Sequence, residues 1–163
     1  MNAASLVLLS LLAQAGPQVV GPEAKARAQA LLKEGAQHYQ QGAFADALEK
    51  FHQAYAVFPS PKLFLNIGQA SRGLGRLVDA VDAFEKFVAQ APDAAPELLA
   101  EARRSVEELS PKIGKLLIDC SLSGAEISVD GRSVGRAPLV EMVRVMPGNH
   151  QVTATDPNAT PDV

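Results

Sequence analysis

Three histidines, one cysteine and one glycine-rich turn are the parts of this 163-residue chain that could support bond-making chemistry. His38, His52 and His150 are scattered, and no Cys, Asp or Glu stands beside them at the spacing a metal set requires. Cys120 sits in an apolar alternation with Asp119 next to it, which opposes the thiolate a reactive cysteine needs and marks it as a small core residue. The run Asp130-Gly131-Arg132-Ser133-Val134-Gly135 lacks the Lys-Ser/Thr of a phosphate loop and precedes no helical pattern, so it reads as a hairpin. No nucleophile with a base and no paired carboxylates stand out, so the sequence offers no catalytic, cofactor-binding or metal-binding residue. An enzyme is the least favoured class.

The elements that carry these residues follow from a pattern that occurs twice, 33 residues apart. Gly35, Gly42, Ala47, Phe51 and Pro59 recur as Gly68, Gly75, Ala80, Phe84 and Pro92. Such a repeat decides architecture before any single residue does. Ala28, Leu31, Leu32, Gly35 and Tyr39 form an apolar stripe on a first helix from about Glu23 to the break at Gly42. A second helix is expected over Phe44 to Val57, stopped by Pro59 and Pro61. The second copy predicts helices over Leu63–Leu74 and Leu77–Gln90. Small residues at Gly35 and Gly68, with Ala47 and Ala80 opposite, allow close backbone approach while Phe51 and Phe84 fill the space beyond. Asp46 with Lys50, and Asp82 with Lys86, are expected as i, i+4 ion pairs on solvated faces.

This pattern over Ala28 to Pro92 resembles the tetratricopeptide repeat (TPR): its small eighth position is Gly35 and Gly68, its twentieth Ala47 and Ala80, its twenty-fourth Phe51 and Phe84. The departures are Glu34, where the family prefers Leu, and Phe87, where it prefers Ala; the second implies a bulky contact with whatever follows. The resemblance implies a concave face lined by the first helix of each pair. In that register a peptide groove would be marked by Gln29, Lys33 and Tyr39 and then by Lys62, Asn66, Gln69 and Arg72. TPR proteins that clamp a terminal carboxylate place Lys and Asn where this chain has Leu32 and Ala36, so that clamp is not expected.

Pro96 to Leu109 reads as a capping helix, with Leu98, Leu99, Ala102, Val106 and Leu109 on one face. Two repeats and a cap are a short stack, and self-association or docking onto the next domain would support it. At Ser110-Pro111 the composition changes to β-branched alternation and glycine turns. Strands are expected over 116–121, 125–130, 140–145 and 150–154. Gly124 to Gly131, Val134-Gly135, Ala137-Pro138-Leu139 and Pro147-Gly148-x-His150 together resemble the PEGA domain, a small β-sandwich-like module common on bacterial envelope proteins. The stretch Asp156 to Val163 stands where the family's closing strand should come, so the sheet is expected to be incomplete or the sequence a fragment.

Composition is that of a globular protein, 47% hydrophobic and 20% charged with a formal net charge of −3. Acids and bases are mixed evenly along the chain, and no basic face for nucleic acid is implied. Leu6 to Leu12 is an apolar run too short to span a bilayer, and Ala13-Gln14-Ala15 supplies small residues for a signal peptidase. The expected organisation is therefore an export segment over 1–15, a flexible lead-in over 16–23, a TPR helical domain over 24–110, a PEGA-like β domain over 111–157 and a tail over 158–163. The fold class is α+β: an α-solenoid of two helix pairs with a cap, then a small β-sandwich-like domain. The expected function is a non-catalytic adaptor of the bacterial envelope, exported to the periplasm, that binds a protein segment in the helical groove and an envelope component through the β domain. Two alternatives differ in placement and ligand. An uncleaved N-terminal segment would make the protein a membrane tether, and a structural or carbohydrate-binding envelope module would act through the PEGA-like domain, where sugar stacking would need aromatic residues, none of which follows Phe87.

Overall fold

The structure, a computed structural model, describes residues 21–156. The expected export segment (1–15), most of the lead-in and the tail (158–163) lie outside the described residues. Among these residues five α-helices precede the strands: α1 (Pro22–Gln40), α2 (Phe44–Val57), α3 (Leu63–Gly73), α4 (Leu77–Gln90) and α5 (Pro96–Leu109). A single 3-10 turn, Ser110–Lys112, leads to five short strands: β1 (Gly114–Leu116), β2 (Glu126–Val129), β3 (Arg132–Arg136), β4 (Val143–Val145) and β5 (Val152–Thr155). The chain is thus α+β, with the helices and the antiparallel strands segregated along the sequence.

Each helix packs mainly on its neighbours in sequence, α1 on α2, α2 on α3, α3 on α4 and α4 on α5. The repeat accounts for this packing atom by atom. A Cβ placed on Gly35 would lie 2.5 and 2.7 Å from the Phe51 ring, and one on Gly68 would lie 2.7 and 2.8 Å from the Phe84 ring. Glycine is therefore the residue that lets α1 meet α2 and α3 meet α4 at this distance. The turns repeat as well. Gly42 and Gly75 take φ of +75° and +72°, Ala43 N–H donates to the His38 carbonyl, and Arg76 N–H donates to the Ser71 carbonyl. These are the left-handed helix ends that glycine makes cheaply.

Phe87 answers the expectation of a bulky contact: it is fully buried in one cluster with Phe84, Ala91, Ala94, Ala102 and Leu109, so it joins α4 to α5. Several expectations are corrected. Helix α3 ends at Gly73, one residue early, because Leu74 already caps the turn completed by Gly75. The i, i+4 pair of Lys50 with Asp46 does not form. Lys50 instead reaches across to Glu34 on α1 at 2.6 Å, which gives a role to the residue standing where a leucine was preferred. Asp82 pairs with Arg144 of the β region, not with Lys86, whose ammonium lies 5.7 Å from the Phe64 ring centre. Tyr39 meets Phe44 edge-on and Tyr55 meets Phe64 at 4.9 Å between ring centres.

The strands are shorter than the alternation implied. The order β3-β2-β5 makes one antiparallel sheet, and β1-β4 makes a separate ribbon. The expected strand over 116–121 reduces to Gly114–Leu116, since β4 offers only three residues to pair with; Leu117 beyond it is 78% exposed. The stretch from Val140 is likewise a strand only at Val143–Val145. The alternation at Ala125, Ile127 and Val129 does bury those three side chains. Asp130 and Gly131, both at positive φ, form the two-residue hairpin between β2 and β3.

Candidate functional site

Two concave places stand out among the described residues. The first is a hollow of about 210 Å³ between α1 and α3, closed at one end by the link from α2. Its floor is Ala28, Leu32, Phe58 and Leu63, and its rim is Lys25, Gln29, Ser60, Lys62 and Asn66. The positions follow from local sequence. Lys25, Gln29 and Leu32 stand one helical turn apart on α1. Phe58, Ser60 and Lys62 come from the Pro59-Ser60-Pro61 link, whose prolines stop α2 and bring the chain directly into α3.

The sequence-predicted groove residues divide into two groups. Gln29, Lys62 and Asn66 come together around this hollow. Gln69 and Arg72 lie further along α3 and are engaged by α5: Gln69 donates to Glu101 at 2.8 Å and Arg72 to Glu108 at 3.0 Å. Lys33 is exposed on α1 outside the hollow's lining, and Tyr39 is packed edge-on against Phe44 at 5.3 Å between ring centres. Sequence reasoning missed Lys25, Phe58 and Ser60. Lys25 was legible as one turn before Gln29, but Phe58 and Ser60 come from the link and follow no helical period.

The second place is a wide cleft of about 1190 Å³ between the outer face of α4 and the β region. Asp79, Asp82 and Glu85 line one wall at i, i+3 and i+6. Arg144 on β4 crosses it, donating to Asp82 at 2.6 Å and to both Glu85 oxygens at 2.7 and 2.9 Å. The Glu85 carboxylate, with Asp82 beside it, holds the guanidinium even further above its ordinary value. Arg132 on β3 adds a longer contact to Asp79 at 3.5 Å. These ion pairs, with Ile113 packed on the helical core, fasten the two parts together.

At the far side of that cleft both nitrogens of His150 face acceptors, Nδ1 at 2.7 Å from Asp130 and Nε2 at 2.5 Å from the Met146 carbonyl. The carboxylate first and the carbonyl second raise the imidazole above its usual range, and the same contact lowers Asp130. This is a structural tie between the β2–β3 and β4–β5 turns. Among the described residues no group of three or more His, Cys, Asp or Glu could hold a metal.

Residues 113–158 match the family model of the PEGA domain. The match covers all five strands, beginning one residue before β1. It is consistent with an envelope-associated module. No curated protein matches the chain. No helix among the described residues is long and apolar enough to cross a membrane.

Proposed function

We propose that the chain is a non-catalytic adaptor of the bacterial cell envelope, with a TPR-type helical stack that grips a segment of a partner protein and a PEGA segment that attaches to a second envelope component. The observation that carries this reading is the α1–α3 hollow, which has an apolar floor and a rim of cationic and amide side chains. An extended segment needs that combination: side chains enter an apolar recess while Gln29 and Asn66 bond its backbone. The PEGA match over residues 113–158 and the export-like sequence of residues 1–15 support placement in the envelope. A sugar-binding role for the β part has less support, because no Phe, Tyr or Trp follows Phe87.

The test is a photo-crosslinking side chain placed at Asn66 in the groove or at exposed His52 on α2, in cells fractionated after irradiation. A partner caught in the envelope fraction from position 66 and not from position 52 is the expected result. Equal capture from both positions, or a protein found only in the cytoplasm, would refute the reading.

A further inference from the structure

We propose that the α1–α3 hollow is built for an acidic peptide segment that inserts one large apolar side chain. The inference rests on the adaptor reading above and adds the chemistry of the occupant. Three observations lead to it.

The first is size. At about 210 Å³ the hollow lies below the roughly 300–1,000 Å³ of sites that enclose small-molecule ligands, and it suits one side chain of a longer segment. Ala28, Leu32, Phe58 and Leu63 make its floor apolar, so the inserted group is a hydrocarbon.

The second is charge. Among the described residues, the only ionisable ones lining the hollow are Lys25, from α1, and Lys62, from the start of α3, and no carboxylate lines it. Among the described residues neither lysine has a salt bridge or a side-chain hydrogen bond. Elsewhere the chain pairs its cations readily: Lys50 with Glu34, Arg72 with Glu108, Arg76 with Asp79, Lys112 with Glu108, Arg144 with Asp82 and Glu85. Other unpaired cations sit on solvated faces, whereas these two flank an apolar recess. Helix α3 also starts here with no acidic residue in its first turn, so the positive end of its dipole is not neutralised within the helix.

The third is the contrast with the neighbouring seam. Between α3 and α5 the equivalent polar side chains, Gln69 and Arg72, already have carboxylate partners on α5. The α1–α3 seam offers the same kinds of donor with no acid among the described residues that line it. An acidic segment supplies what α5 supplies next door: carboxylates for Lys25 and Lys62, backbone groups for Gln29 and Asn66, and an apolar side chain between them.

The experiment pans a random nonapeptide display library against the full chain, with Lys25→Glu/Lys62→Glu as the counter-target. Binding of the enriched peptides is then measured by fluorescence anisotropy. Enrichment of Leu, Ile, Met or Phe flanked by Asp or Glu is expected, with affinity falling at least tenfold in the charge-reversed variant and at least fivefold when the apolar residue is replaced by Ser. Far-UV circular dichroism checks that the variant is folded, and Asn66→Ala, which removes the rim amide and leaves the charge of the hollow unchanged, should weaken the same peptides. No enrichment, enrichment of basic peptides, or equal binding by the charge-reversed variant would overturn the proposal. So would a single-stranded oligonucleotide that binds through the same lysines as tightly as the peptides. Capture of a partner from Asn66 without acidic-peptide binding would remove only the occupant's chemistry, whereas failure of both would remove the adaptor reading as well.

Discussion

Replacing Gly68 by Ala is the sharpest test of the helix crossing on which the stack depends. The added methyl carbon would stand 2.7, 2.8 and 3.0 Å from Cε1, Cδ1 and Cζ of Phe84, closer than carbon atoms pack. Phe84 is only 1% exposed and is held in the cluster with Leu65, Val81 and Phe87, so its ring has little room to move. Overpacking of this kind costs about 1–3 kcal/mol. Against it, alanine is better than glycine inside a helix by roughly 0.5–1 kcal/mol. The difference, roughly 0–2.5 kcal/mol, centres on a net loss of about 1 kcal/mol, read as a lower urea midpoint by far-UV circular dichroism. Gly35→Ala should lose a similar amount, since its methyl would meet Phe51 at 2.5 and 2.7 Å. Shortening the ring in Gly68→Ala/Phe84→Leu should recover part of the loss, so the double variant falls short of the sum of the singles. A Gly68→Ala protein as stable as the parent, or more stable, would refute the close-approach argument.

Three other outcomes follow from particular contacts. A double-mutant cycle on Arg144→Ala and Glu85→Ala should give a coupling of about 1 kcal/mol at low salt, because the pair is bidentate but partly exposed, and most of it should vanish in 1 M salt, where screening acts within about 3 Å; a coupling unchanged by salt would contradict the ionic fastening of the two parts. His150 is raised in the folded chain by Asp130 and the Met146 carbonyl, so its contribution is complete below the unfolded value of about 6.5 and is lost as pH rises through the folded one. The urea-midpoint advantage of the parent over His150→Gln should therefore shrink from pH 6 to about pH 9, and Asp130, which is lowered, should weaken the same tie only in acid; a difference constant with pH would argue against the charged tie. Ser71 is 1% exposed and its hydroxyl has no hydrogen-bond partner, so Ser71→Ala should be neutral or stabilising by up to about 1 kcal/mol, and a clear loss in the same urea assay would reveal a bound water there.

The helical part was legible because its signals are local. Glycine, alanine and phenylalanine at a fixed offset specify a crossing, and Pro59, Pro61, Pro92 and Pro96 mark where helices end and begin. The residues that failed as local predictions were charged ones whose partners lie far along the chain. Lys50 takes Glu34 sixteen residues away, and Asp82 takes Arg144 sixty-two residues away, each in preference to an i, i+4 partner worth only tenths of a kcal/mol. The strands were overextended for a related reason: alternation at Ile118 and Cys120 marks burial against Ala125, Ile127 and Ala137, but a strand also needs a partner to bond. Of the groove, Gln29, Lys62 and Asn66 could be found from the repeat register, whereas the Phe58 floor and the Ser60 rim come from a link that only the fold places.

The short length of the stack bears directly on what it could hold. Two helix pairs and a fifth helix create two seams between successive first-position helices, α1–α3 and α3–α5. In the second, Gln69 and Arg72 are bonded to Glu101 and Glu108, so a ligand there would have to displace charge-assisted contacts already made. In the first, an apolar floor stands beside two lysines that have no carboxylate partner among the described residues, so a ligand would displace no such contact there. On the adaptor reading, recognition by this array would be confined to one anchor side chain and its immediate neighbours. One anchor in a hollow of this size gives modest affinity by itself. On the adaptor reading, the PEGA segment is what makes such weak capture useful. Joined to α4 by Arg144 and to the helical core by Ile113, it would keep the groove close to whatever it attaches to, and two weak attachments on one chain act together more strongly than either alone.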